Sequence, residues 1–456
     1  MASAKLIKDL PDHSKAPCAL PDELFYYMAR DIISKPSDIA NLSRTCRRLS
    51  QLLEPLLYQA DVWETRKAEL ESEVNVFRRA RQYGSRYGGN YFDIRLGLQN
   101  CRVPVSHIPA LHWAATQNDR SLGLAVARKS IKAALIHWPN YLHVPCGKTS
   151  NMTPLHLAAK NGLVEMVQEL MDASAFVDAR VRFNVNAHPG EFPLIQRTFA
   201  QRRFNVFGSF YLTINALCIA IMYGHIHIAE ILAHHTQDLK ETEGYLDIDP
   251  TPVLKLAAVH RMPSVVRILQ DRGYQSRAGN WYFFGASALH YAAVADGNEE
   301  TIQLLLDGGA DINATNRMNR DAFELAVDQH DETGECVSNL LILANHLTLE
   351  ERSRHFRKQF FIFLGNPGLL PVIKVLLGED AVGFSPVDLV LLHEDVLTYL
   401  EGQVPGQASM GMSPETLDYL IHHPGLKFLE GEHSVEFWER KLEDMMNNPV
   451  FKLVPT

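Results

Sequence analysis

Positive charge, clustered cysteine and long apolar runs are all in short supply in this chain, and each shortage removes a class of protein. Lys and Arg total 44 against 53 Asp and Glu in 456 residues, a formal net charge of -9. The basic footprint of a nucleic-acid binder is missing, so neither DNA nor RNA is expected as a partner. The six cysteines, Cys18, Cys46, Cys101, Cys146, Cys218 and Cys336, lie far apart with no C-x-x-C pair. That spacing suits neither a zinc site nor a disulfide framework and reads as reduced thiols of an intracellular protein. The most apolar run, 360–377, is broken by Pro367, Pro371 and Lys374, and no charged segment followed by an apolar core opens the chain. A soluble protein of the cytoplasm, the nucleus or both is expected, with no membrane association.

Recognisable chemistry is equally scarce. Gly147-Lys148-Thr149 looks like the end of a phosphate loop, but Leu142 stands where the motif needs its first glycine. His393-Glu394 has no second histidine at metalloprotease spacing, and no G-x-S-x-G occurs. The pairs His225 with His227, His234-His235 and His422-His423 have no carboxylate or cysteine at ligand spacing. A non-catalytic binding protein is expected, with no cofactor and no metal site.

What the chain does hold is a repeat. Residues 152–178 read MTPLHLAAKNGLVEMVQELMDASAFVD. Thr153 can cap a helix, Pro154 suits its first position, and Ala158 and Ala159 let a neighbouring helix come close. Gly162 can end that helix in a left-handed turn, and Val164, Val167, Leu170 and Met171 recur at the period of a second one. Such a hairpin cannot bury its apolar face alone, so stacked neighbours are required. They are found at equivalent positions Leu111, Leu155, Leu217, Leu254, Leu289 and Phe323, separated by 44, 62, 37, 35 and 34 residues. The last three intervals fit a period near 33. The first two therefore hold insertions, at about 119–150 and 180–213. Thr153-Pro154-Leu155-His156-x-Ala158 and Ser287-Ala-Leu289-His290-Tyr-Ala292 closely resemble ankyrin repeats, and the resemblance implies a stack of helix pairs whose exposed faces bind a protein partner. The recurrence of His112, His156 and His290 at one position argues for a structural hydrogen bond. Arg261 stands where the turn glycine is expected, and Pro263 fits only the start of a second helix.

Ahead of the array, 18–60 carries two apolar stripes at helical spacing: Leu24, Met28, Ile32 and Ile33, then Ile39, Leu42, Cys46, Leu49 and Leu53, with Pro36 and Pro55 as stops. With Leu20-Pro21 at its start, Cys46-Arg47-Arg48-Leu49 within it and Pro55-Leu-Leu-Tyr58 at its close, this stretch resembles an F-box. The resemblance implies that Leu20, Pro21, Leu24, Met28, Ile39, Leu42, Cys46 and Leu49 contact a Skp-family adaptor and, through it, a cullin ligase. F-box followed by ankyrin repeats also resembles a fungal-type architecture. The other reading of the same helices is a cap on the first repeat, with no ubiquitin connection.

The expected fold is all-α. Residues 1–17 form a flexible tail and 18–60 the F-box-like module. Residues 61–106 are a helical linker and loop, 107–347 an ankyrin-repeat solenoid, and 348–456 degenerate repeats with a C-terminal helical cap. Within the second insertion, Arg180, Arg182, Arg197, Arg202 and Arg203 face a single acid, Glu191, among six phenylalanines. Arginine and aromatics are hot-spot residues, so the loop is a candidate site for an acidic or phosphorylated client. Alternatively, it folds its phenylalanines onto the array and leaves its arginines solvated.

Overall fold

The computed structural model describes residues 39, 41, 47–87, 107–147, 151–184, 211–237, 253–274, 286–316, 318–333, 336–378 and 414–423. The chain divides into two compact units, Met1–Phe192 with Val206–Val253, and Pro193–Asn205 with Leu254–Thr456.

Among the described residues of the first unit is one long helix, α1 (Arg47–Tyr87), which runs through Pro55. The stop expected there is not taken. Pro55 and Gln51, whose carbonyl the proline leaves without its helical donor, are both exposed, so water can satisfy the gap. The opposite face buries Leu53, Leu56, Val62 and Thr65, and it packs along the second helix of the first repeat. Each buried leucine contributes about 1.5–3 kcal/mol, enough to hold a helix that proline alone would break.

Three helix pairs follow: α2 (Ala110–Ala115) with α3 (Arg120–His137), α4 (Pro154–Lys160) with α5 (Val164–Asp172), and α6 (Ala216–Met222) with α7 (Ile226–His235). First helices stack on first helices and second on second. Ala114, Ala115, Ala158 and Ala159 are completely buried, because only a methyl group fits where two helices approach this closely. Thr153 caps α4 by accepting from the His156 amide, and Pro154 sits at its first turn. Gly162 has φ 67, the left-handed turn that glycine adopts at least cost. The lengthened second helix of the first repeat is α3, 18 residues long and capped by Asp119.

The second insertion adds a feature outside the helical plan. Its two ends pair as an antiparallel ribbon, β1 (Val181–Asn184) with β2 (Tyr211–Ile214), in register Val181 opposite Ile214 and Asn184 opposite Tyr211. Asn215, directly after the ribbon, caps α6. The α-solenoid plan is otherwise retained.

The second unit repeats the scheme with α8 (Val253–Val259) and α9 (Pro263–Asp271), α10 (Ala288–Ala293) and α11 (Glu299–Asp307), α12 (Ala322–Thr333) and α13 (Val337–His346). Pro263 is at the start of α9, as its chemistry requires. Arg261 takes φ 56 in the place of the turn glycine, and its guanidinium donates to the Asp296 carbonyl at 2.8 Å. Beyond these lie α14 (Leu349–Lys358), α15 (Phe360–Gly365), α16 (Leu370–Leu377) and α17 (Pro414–Ile421). In α14 Thr348 and Glu351 form a capping box, while Phe356, Phe360 and Phe363 stack into a buried aromatic cluster. The charged helix expected near 434–446 lies outside the described residues.

Asparagines staple neighbouring repeats within each unit. Asn161 donates to the Ala115 carbonyl at 2.7 Å, Asn298 to Ala258 at 2.7 Å and Asn339 to Ala295 at 2.7 Å. Each bonds a carbonyl at or just beyond the C-terminal end of the preceding repeat's first helix, where helical donors run out; the Ala258 carbonyl also accepts from the Arg261 amide at 3.3 Å.

Candidate protein-binding site

The histidines that recur in the repeats serve the stack. The His112 ring bonds the Met152 carbonyl at 3.2 Å, and His290 bonds that of Arg320 at 3.2 Å. Met152 and Arg320 each immediately precede the cap residue of a following first helix, Thr153 or Asp321. The imidazole thus ties one repeat to the entry of another. Its other face returns to its own cap: Thr153 Oγ1 lies 2.6 Å from His156 Nδ1, and Ser287 Oγ lies 2.8 Å from His290 Nδ1. Burial drives these rings neutral, lowering His112 to about 3 and His156 and His290 to about 4. Neutral rings wedged between helices are framework, so binding falls to the exposed positions.

In the sixth repeat the pattern changes. Asp321 caps α12, accepting from the Glu324 amide at 2.9 Å, and Glu324 replaces the histidine. An ionised carboxylate cannot donate to a carbonyl, and α14 supplies an ammonium and an imidazole beside the pair: Lys358 Nζ lies 2.6 Å from Glu324 Oε1, and His355 Nε2 lies 3.4 Å from Asp321 Oδ2. Sequence reading missed this cluster, because its members come from two helices and the second does not resemble a repeat.

Of the eight positions expected to meet an adaptor, Leu20, Pro21, Leu24, Met28, Leu42 and Cys46 lie outside the described residues. The backbone of Leu49 is in α1. Ile39 is buried. Downstream, α1 is bonded to the first repeat: Asp61 accepts from the Ala110 amide at 3.1 Å and from the Tyr141 hydroxyl, Thr65 meets His107 at 3.0 Å, and Glu54 pairs with Lys129 at 2.5 Å. Burial raises the Asp61 carboxyl above its ordinary range even though two donors favour the charged form. A single helix therefore bridges the boundary drawn at residue 60 between module and linker.

Of the five insertion arginines, Arg180 is half-buried and makes contacts of its own. Arg182 is in β1, opposite Thr213; Arg197, Arg202 and Arg203 lie outside the described residues. The ribbon pairs the two ends of the insertion at its base. Among the exposed large apolar side chains, Trp63 and Leu70 lie on α1, Leu135 and Ile136 at the end of α3, and Phe176 in the turn after α5. Cys146, Cys218 and Cys336 are buried thiols, and no helix among the described residues is long and apolar enough to cross a membrane.

Comparison with known families agrees with this geometry. Residues 111–243 match the family described as ankyrin repeats (3 copies), and residues 284–317 match the single ankyrin repeat. Among curated proteins, the chain is similar to ankyrin repeat and SOCS box protein 6 of Pongo abelii, 36% identical over 109 residues, which cover 22% of this chain and 24% of that relative. The Homo sapiens protein of the same name matches equally, 36% identical over 109 residues and 24% of its length. This chain therefore carries ankyrin repeats, an architecture for binding other proteins.

Proposed function

We propose that the chain is a substrate receptor of an SCF-type ubiquitin ligase: the segment 18–60 docks a Skp-family adaptor and the ankyrin stack holds a client. One observation carries the reading: the closing part of the F-box-like run, Arg47-Arg48-Leu49 and Pro55-Leu-Leu-Tyr58, lies within α1, the same helix that is bonded to the first repeat through Glu54, Asp61 and Thr65. A stiff connection of this kind suits a receptor, which catalyses nothing itself and raises the concentration of client near a ligase assembled elsewhere. The relatives' names also join ankyrin repeats to a second module, the SOCS box. Such a receptor would work in the cytoplasm or nucleus. The client is an acidic or phosphorylated protein, met by Arg197, Arg202 and Arg203 of the anchored insertion.

A pull-down with a Skp-type adaptor tests the first half, comparing the intact chain with Leu20→Asp and Leu42→Asp. Binding in the parent and loss in both variants supports it. Retention in both, or no binding by the parent, removes it. Reversing Arg202 and Arg203 to glutamate tests the second half: unchanged client capture would count against the loop.

A second reading has its own observation. Ile39, Leu53 and Leu56 are all buried, as they would be if the N-terminal helices only capped an ankyrin scaffold with no ligase link. The adaptor experiment separates the two.

A further inference from the structure

The cluster in the sixth repeat is left incompletely satisfied. Asp321, Glu324 and His355 are 4%, 3% and 0% exposed, and one ligand atom from each lies within 4.8 Å of the others. Two of their polar atoms, Glu324 Oε2 and His355 Nδ1, have no hydrogen-bond partner. His355 Nδ1 faces Glu324 Oε1 at 3.8 Å. Buried polar groups without partners each cost about 1–3 kcal/mol, and an unpartnered carboxylate oxygen beside an unpartnered imidazole nitrogen needs an explanation.

Lys358, Arg320 and Arg354 supply part of it. Lys358 holds one oxygen of Glu324 at 2.6 Å, yet its side chain is 43% exposed. Arg320 stands 3.6 Å from the other oxygen, beyond hydrogen-bond range, and Arg354 is 3.4 Å from His355 Nε2. All three cations approach from the solvent side and can swing outwards. The imidazole and the carboxylates stay buried, and the Phe323 ring, 5.0 Å from that of His355, and the Asp321 cap leave them room for small rotations only.

The geometry points to a structural divalent metal site of the zinc class at Asp321, Glu324 and His355, joining α12 to α14. Two carboxylate oxygens and one neutral imidazole nitrogen form a mixed set that zinc accepts and that calcium, which takes six to eight oxygens, does not favour. Side-chain rotation has to bring the ligand atoms to the roughly 3.4 Å separation of a tetrahedral site, with water as fourth ligand. Binding displaces Lys358 from Glu324.

The test uses the full chain, stripped with chelator and titrated with Zn2+ alone, and with Co2+ alone for the visible bands of a tetrahedral ion. Asp321→Asn and His355→Gln should each weaken the tightest site by about tenfold or more and abolish the Co2+ bands. Lys358→Met keeps every ligand and removes the competing ammonium, so it should bind at least as tightly as the parent. Zinc binding equal in the parent and both ligand variants would place the metal on other histidines and overturn the site. Absence of binding in both the parent and Lys358→Met would overturn it as well, leaving a plain ion-pair network.

Discussion

The second and sixth repeats place different chemistry on the same backbone. In the second, Thr153 and His156 share a hydroxyl-imidazole bond and bury no charge; in the sixth, Asp321 and Glu324 occupy the same two positions and bury two carboxylates. The neutral pair is bonded internally at Nδ1 and draws on no ion from another helix. The charged pair depends on Lys358 and His355 from the following helix. An ankyrin hairpin thus tolerates either solution at its cap, but only the carboxylate pair makes one repeat's stability conditional on its neighbour's charged side chain.

Acid should break the comparison most sharply. An imidazole in the unfolded chain takes its proton near 6.5 and folded His156 only near 4. Below pH 6.5 the unfolded state binds a proton that the fold refuses, and stability falls as pH drops from 6.5 towards 4. For one fully buried ring the loss is about 3 kcal/mol. Asp321 runs the other way: its folded carboxyl holds a proton up to about 6 against an ordinary 3.8, so its contribution is present at low pH and lost as pH rises through 6. Chemical denaturation from pH 4 to 7 should show His156→Gln flattening the acid limb. The double change Asp321→Thr with Glu324→His should steepen it.

The bonds between α1 and the first repeat come next. Asp61→Ala leaves the Ala110 amide without its acceptor and the Tyr141 hydroxyl without the carboxylate it donates to, and should cost about 2 kcal/mol in urea unfolding. Glu54→Ala removes only a partly exposed ion pair and should cost under about 0.5 kcal/mol. Equal effects would mean that α1 is not held where its buried bonds lie.

Turn residues give the smaller differences. A Cβ on Gly162 would meet the His225 ring at 2.7 Å, whereas one on Gly273 meets nothing within 4 Å. Both have positive φ. Gly273→Ala should therefore lose about 1 kcal/mol from backbone strain alone and Gly162→Ala about 2 kcal/mol. Arg261→Gly relieves the same strain but loses the bond to the Asp296 carbonyl, so thermal unfolding should shift by under about 1 kcal/mol, the least of the set.

The repeat starts were legible because they depend on local chemistry: a capping Thr or Ser, a first-turn proline and paired alanines fix a short helix wherever it lies. Pro263 could be placed for the same reason, since its ring admits few backbone conformations. The passage of α1 through Pro55 was not legible, because it is decided by burial of Leu53 and Leu56 against α3. The ribbon at 181–184 and 211–214 was hidden likewise, since its pairing joins the two ends of a long insertion. His355 escaped notice because it lies 31 residues from Glu324, on a helix without repeat signature. The arginines of the insertion were visible as a cluster, but composition alone cannot say which way they point.

The account rests most on the N-terminal segment being a handle for another protein as well as a continuation of the stack. Calorimetric titration of the full chain with a purified Skp-type adaptor tests this directly. The account predicts saturable one-to-one binding that Leu42→Asp abolishes while the helical circular dichroism of the array is unchanged. A folded chain that takes up no adaptor heat would contradict it.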